Sequence, residues 1–171
     1  DWSKAVEVED VRLTGAIVDG LKLPLQLNGI QFDDCVVGAL VLDRTTLTKC
    51  SFRRVDMSSW LLNGATLIEA VFEKTRLPTG LSGLKMVRCK LGGCDLSSCN
   101  VQGGDWSECD LQGATLPRDL TKMKLRKCIL VNCNIEGMNL QEVDLSGANL
   151  TGCRVTNCNL TRATLNGATL P

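Results

Sequence analysis

The sequence predicts an all-β solenoid in which every fifth residue returns to the inside. Three observations carry this. From Val143 to Leu170 the chain reads in fives: VDLSG, ANLTG, CRVTN, CNLTR, ATLNG, ATL. That period is neither the 2.0 of a strand nor the 3.6 of an α-helix. Carried back to Val8 with three four-residue steps, the register has 34 central positions, all apolar, in a chain that is 44% hydrophobic. All ten cysteines fall two residues before such a centre, at a position termed here the shoulder. Random placement among five phases would do so on the order of one time in ten million.

The centres run Val8, Leu13, Val18, Leu23, then Leu27 to Leu77 in fives, Leu81 to Leu116, and Leu120 to Leu170. CDLSS (Cys94 to Ser98), CDLQG (Cys109 to Gly113), VDLSG (Val143 to Gly147), ANLTG (Ala148 to Gly152) and CNLTR (Cys158 to Arg162) resemble the repeat of the pentapeptide-repeat proteins. That repeat is a small residue, Asp or Asn, Leu or Phe, a polar residue, then often Gly. The resemblance covers roughly residues 6 to 170 and is strong because so many units stay in phase. It implies a right-handed parallel quadrilateral β-helix with four pentapeptides per coil, so about eight coils. Physical chemistry agrees. A centre and a shoulder per face fill a narrow core, and short polar residues turn the corners. Coils stacked about 4.8 Å apart give a rod on the order of 40 Å long.

In chain order, DWSKA (Asp1 to Ala5) is expected to be an N-terminal cap remnant, with Trp2 and Ala5 beginning the cap and repeats starting near Val6. Residues 1–171 are expected to form one domain, excised from a longer protein, since a stack ending in repeats exposes strand edges that proteins normally cap. The first irregular unit, around Leu23-Pro24, recurs at Leu77-Pro78 and Leu116-Pro117, and Leu170-Pro171 looks like a fourth. The shared pattern is L-P-x-x-L, and the spacings of 54, 39 and 54 residues suggest an internal duplication. Proline restricts itself and the residue before it. The regular register would put Arg118 at a shoulder, where a charge cannot stand uncompensated. These corners are therefore expected to be bulged out or tightened.

Charge varies along the chain although Lys plus Arg and Asp plus Glu are 19 each. Residues 1–43 carry −5, 44–90 carry +6, 91–116 four acids and no base, 117–128 five bases and one acid. Counting faces in fours puts Lys49, Arg88, Lys124, Arg126 and Lys127 on one side, with Arg53, Arg54, Lys74 and Lys90 on the next. The candidate interaction surface is Lys49, Arg53, Arg54, Arg88, Lys90, Lys124, Arg126 and Lys127; the alternative is a scattered solvated surface. Trp60 at a shoulder and Trp106 at a centre are oversized. Each reads as a local widening of the core or as a partly exposed binding anchor.

Cysteine at shoulders reads as a small buried hydrophobe. The C-x4-C spacings follow from the repeat and lack the C-x2-C pairs of zinc sites. No metal and no cofactor is expected, and free thiols favour a reducing compartment, the cytoplasm or, for a secreted effector, the host cytosol. The sequons at Asn149 and Asn159 are by-products of the repeat. There is no His and no Tyr, hence no Ser-His or Cys-His pair. No phosphate loop occurs, and no 18-residue apolar run that would span a membrane. The chain is not expected to be an enzyme.

Three functions stand open. The first is a protein-interaction or scaffold module with a protein partner, a role the resemblance extends to repeat regions of secreted bacterial effectors. The second is a DNA-mimicking inhibitor or protector of DNA gyrase. Similar proteins in that role have a strongly acidic rod and an aromatic-rich C-terminal dimer segment, both lacking here. The third, nucleic-acid binding through the basic stripe, is disfavoured by zero net charge. The oligomeric state stays open.

Overall fold

The computed structural model describes residues 4–5, 8–18 and 20–171. Trp2 and Val6, which bear on the expected cap and first repeat, lie outside the described residues. Among the described residues eleven short strands form in chain order. They are β1 (Val8–Glu9), β2 (Arg12–Thr14), β3 (Ile17–Val18), β4 (Gln26–Asn28), β5 (Gln31–Asp33) and β6 (Val36–Val37). Then come β7 (Thr46–Thr48), β8 (Ser51–Arg53), β9 (Thr66–Ile68), β10 (Val71–Glu73) and β11 (Lys85–Val87).

All pairings are parallel. Face 1 is the sheet β1-β4-β7-β9-β11, face 2 is β2-β5-β8-β10, and β3 pairs β6 on face 3. The register sets centre on centre: Leu27 on Leu47, Leu47 on Leu67, Phe32 on Phe52. Extended strands thus account for about four turns. Beyond Val87 the same ladder continues as single parallel bridges, through Lys85, Asp105, Lys124, Asp144 and Thr164 on face 1 and Lys90, Asp110, Ile129, Asn149 and Thr169 on face 2. In this half of the chain Asp or Asn precedes several of the centres. Its side chain accepts the N–H two residues on, as Asp95 does from Ser97 at 3.0 Å and Asn149 from Thr151 at 3.0 Å. That local bond folds the face into a turn.

Most corners share one backbone solution. Among the described residues fifteen non-glycine and twelve glycine residues have positive φ, each two places after a centre, while the corners after Leu23, Val37, Met57, Leu77, Leu96 and Leu116 turn without it. Glu108 (φ 62) and Lys127 (φ 55) bear the strain that Gly93 (φ 69) avoids. A Cβ on Gly93 would meet nothing within 4 Å, so its replacement probes conformation alone. Gly93→Ala is expected to cost about 1–2 kcal/mol, read as a lower urea midpoint. An unchanged midpoint would remove the strain argument.

Twenty-six of the 34 centres, Leu27 to Leu150, are buried. The expectation that all would be buried is corrected at both ends. Val8, Leu13, Val18 and Leu23 are half-buried, as is Leu165, and Val155, Leu160 and Leu170 are exposed. A centre is covered by the coils on either side of it, and these rungs have a neighbouring coil on one side only. Inside, Phe32, Phe52 and Phe72 stack at 5.5 and 5.2 Å, and Trp60 meets Phe32 and Phe52 edge-on at 5.8 and 5.9 Å.

The L-P-x-x-L corners are tightened. Pro24, Pro78 and Pro117 are buried just after their centres, and Leu25, Thr79 and Arg118 turn outward. Proline takes the shoulder's place one residue early, which shortens the coil and frees Arg118 from the core.

Candidate interaction surface

Faces 1 and 2 are uninterrupted, and the basic side chains lie on them beside acids of neighbouring coils. Arg53 reaches Glu73 at 3.3 Å, Arg88 reaches Glu69 at 3.0 Å, and Lys124 reaches Asp105 at 3.7 Å. Arg54 binds Asp34 through two nitrogens and Asp33 at 3.5 Å, and Arg126 binds Asp144. The hydrogen bond from Arg54 holds the Asp34 carboxyl below its ordinary range. Lys49 and Lys127 share the face 1 corner column with Glu69, Arg88 and Glu108, where sign alternates coil by coil. Lys74 and Lys90 lie on face 2. The stripe is therefore a charge-alternating surface. Exposed pairs contribute little to stability, about 0–1 kcal/mol each; their effect is to hold long side chains in place.

Faces 3 and 4 differ. On face 3, bridges join Asp56 to Arg76, Asp95 to Thr115 and Asn134 to Arg154, and none joins Val36 to Asp56, Arg76 to Asp95 or Thr115 to Asn134. On face 4, none joins Lys22 to Val41, Leu61 to Gly80 or Asn100 to Asp119. Four of these openings flank the corners at Leu77-Pro78 and Leu116-Pro117. Two grooves of about 650 and 600 Å³ result on face 3. The first is lined by Lys74, Arg76, Leu77, Asp95 and Ser97, the second by Ser97, Leu116, Arg118, Asn134 and Glu136. Sequence reasoning had the L-P-x-x-L signal but missed these residues, because which coils lose their bridges depends on stacking. Missed too was an exposed apolar group at the N-terminal coils: Ile17, Leu25, Val36, Val41 and Leu61.

The ten thiols are free, nine of them buried and Cys158 half-buried. They donate to carbonyls of the adjacent coil, as Cys128 does to Trp106 O at 2.8 Å and Cys153 to Leu130 O at 3.0 Å. Among the described residues no group of three or more His, Cys, Asp or Glu is placed to hold a metal, and no helix is long and apolar enough to cross a membrane. Trp60 and Trp106 are 2% and 1% exposed, which settles their two readings in favour of core packing. The shoulder of Trp106's face is Gly104, where a Cβ would lie 3.0 Å from Met123 Sδ and Val101 O, so a larger residue has no space there.

A family model described as pentapeptide repeats matches residues 89–118, 119–157 and 128–167, with eight copies. Residues 89–167 belong to the pentapeptide-repeat family. This pentapeptide-repeat rod is similar in fold to HetL, a pentapeptide repeat protein involved in heterocyst differentiation regulation from the cyanobacterium Nostoc sp. strain PCC 7120. Identity is 18%, the match covers 97% of this chain and 90% of that one, and the TM-score is 0.52. A trypsin-treated form of QnrB1, a plasmid-mediated fluoroquinolone resistance protein, matches at 16% identity over 95% and 91% of the two chains, with a TM-score of 0.43. No curated protein matches the chain.

Proposed function

We propose that this pentapeptide-repeat chain is a non-catalytic protein-interaction or scaffold module that binds a protein partner through the side of its rod. One observation carries the reading: the arginines of faces 1 and 2 and Lys124 are paired from coil to coil, as in Arg88 with Glu69 and Arg53 with Glu73. A flat surface whose long side chains are already held loses little rotamer freedom on docking. Alternating charge gives a protein partner specific complementarity and offers nucleic acid no continuous basic track. Lys49, Arg53, Arg54, Arg88, Lys90, Lys124, Arg126 and Lys127 are the proposed contacts. The buried free thiols suit a reducing compartment, the host cytosol in the case of a secreted effector.

The alternative role, mimicry of DNA against gyrase, needs a negative potential along the length of rod that enters the enzyme. Residues 44–90 carry +6, and screening over roughly 8 Å at physiological salt prevents distant acids from masking that sign. The purified chain is expected to leave gyrase supercoiling unchanged at micromolar concentration. A photo-crosslinking residue at Lys49 or Lys127, in the protein expressed in its native cell, is expected to capture one protein repeatedly, and the double substitution Arg88→Glu with Arg53→Glu to abolish the capture. Inhibition or protection of gyrase would replace this reading with the alternative.

A further inference from the structure

The corner column at the edge of faces 1 and 2 carries one charged residue per coil over five coils: Lys49, Glu69, Arg88, Glu108 and Lys127. Its rungs are closed. Lys49 N–H bonds Ile68 O at 2.8 Å, Glu69 N–H bonds Val87 O at 2.9 Å, Arg88 N–H bonds Ser107 O at 3.1 Å and Glu108 N–H bonds Arg126 O at 2.8 Å. All five have φ between 55° and 62°, so their Cα–Cβ bonds leave the rod in one direction. A second column on face 1, one residue before the centres, joins Lys85, Asp105, Lys124 and Asp144 by parallel bridges. Both columns have the same phase. From the Leu47 coil to the Leu145 coil they are basic on every other coil and acidic on the coils between. Arg88 and Lys124 reach back to Glu69 and Asp105 of the preceding coil. Lys49, Lys85, Glu108 and Lys127 are exposed and make no ion pair among the described residues.

We infer that face 1 binds a second copy of this chain, antiparallel and face to face, about a two-fold axis that crosses the face midway between the Met86 and Trp106 coils. The inference rests on the reading of the rod's side as a binding surface and names the partner of face 1. An isologous contact presents one surface to itself, and a sign that alternates by coil makes that surface self-complementary. With the axis between two coils of opposite sign, every basic coil meets an acidic one. Lys85 then faces Asp105, Arg88 faces Glu108 and Glu69 faces Lys127 of the second copy, and each pair occurs twice. Lys85, Glu108 and Lys127, unpaired within one chain, thereby gain counter-charges. The rise along the rod favours the same partner. A second copy repeats its coils at the same rise by construction, so the match holds along the whole contact. Same-side residues of an extended strand stand about 6.7 Å apart and lose phase with coils about 4.8 Å apart. An α-helix returns to one side every seven residues, about 10.5 Å, against about 9.6 Å for two coils. Zero net charge leaves no net repulsion between two whole chains.

The test is sedimentation equilibrium of the full chain and of two opposite charge reversals. A dimer with a dissociation constant in the micromolar range is expected at low salt. It is expected to weaken at least tenfold at about 0.5 M salt, where charges are screened within about 4 Å. Glu108→Lys sets base against base across the axis, and Arg88→Glu sets acid against acid. Each variant alone is therefore expected to be monomeric where the unsubstituted chain is dimeric. An equimolar mixture of the two is expected to dimerise again, because in the mixed pair positions 88 and 108 oppose unlike charges on both sides of the axis. Both residues are exposed, and thermal melts show whether each variant keeps its fold. Should either lose it, a photo-crosslinking residue at Lys127 decides, with attachment expected at residues 66–69 of an isotope-labelled second copy. A monomer throughout the micromolar range, a dimer indifferent to both reversals, folded variants that do not recover on mixing, or crosslinks to residues 155–171 overturns the proposal. A monomeric chain whose crosslinker captures a different protein in the cell overturns the dimer alone and leaves the reading of faces 1 and 2 standing.

Discussion

Leu145→Ala is expected to destabilise the rod by about 2–5 kcal/mol. Leu145 is 1% exposed and is stacked between Leu125 and Leu165 by the bridges of Lys124 with Asp144 and of Asp144 with Thr164. Truncation leaves a cavity that two ladders hold open, because the N–H groups of Leu125 and Leu145 remain bonded to Asp144 O and Thr164 O. Its neighbour supplies the control. Ser146 donates its hydroxyl to Asp144 Oδ1 at 2.6 Å, and its N–H bonds the same oxygen at 3.0 Å. Ser146→Ala keeps the backbone bond, and a loss within about 0.5 kcal/mol is expected. Urea titration of both variants checks this, and equal losses would show the register to be wrong. A solenoid is stabilised coil against coil, so hydrogen exchange is expected to rise mainly in the coils flanking Leu145.

The thiols provide the second large effect. Burial pushes Cys50, Cys94 and Cys133 up to about 11 and Cys128 up to about 12. A rise of two pKa units lowers the reactive thiolate about 100-fold near neutral pH, before any steric shielding. Native protein at pH 8 is therefore expected to react slowly with a thiol reagent at Cys50, Cys94, Cys128 and Cys133 and faster at the half-buried Cys158, while all ten cysteines react in denaturant. Rapid native labelling of most of them, or stoichiometric zinc, would overturn the core-thiol assignment. The same shift predicts a pH dependence. A thiol whose folded pKa is raised favours the folded state fully below its unfolded value of about 8.5. That contribution is lost as pH rises towards the folded value, because the unfolded chain ionises first. Under reductant the melting temperature is expected to fall progressively between about pH 9 and pH 11. A flat profile would place these thiols in water.

The periodic part of this protein was legible in the sequence for a local reason. Inward and outward positions recur within five residues, so Leu at the centre, Cys at the shoulder and Asp or Asn before the centre are selected face by face. From this followed the core register, the small-hydrophobe role of the cysteines and the polar corners. What the period could not determine is what lies against what one coil away. That relation spans 19 or 20 residues and changes wherever a corner loses a residue. Only the stacked coils therefore decided that Arg88 meets Glu69 and Arg53 meets Glu73, turning a basic stripe into an alternating one. Stacking likewise brought Met123 of the next coil against Gly104. At the tightened corners the regular pattern assigned the shoulder to Arg118, whereas the fixed φ of Pro117 lets its own ring fill that place. The arginine turns outward, and the coil, one residue short, opens the ladder beside it.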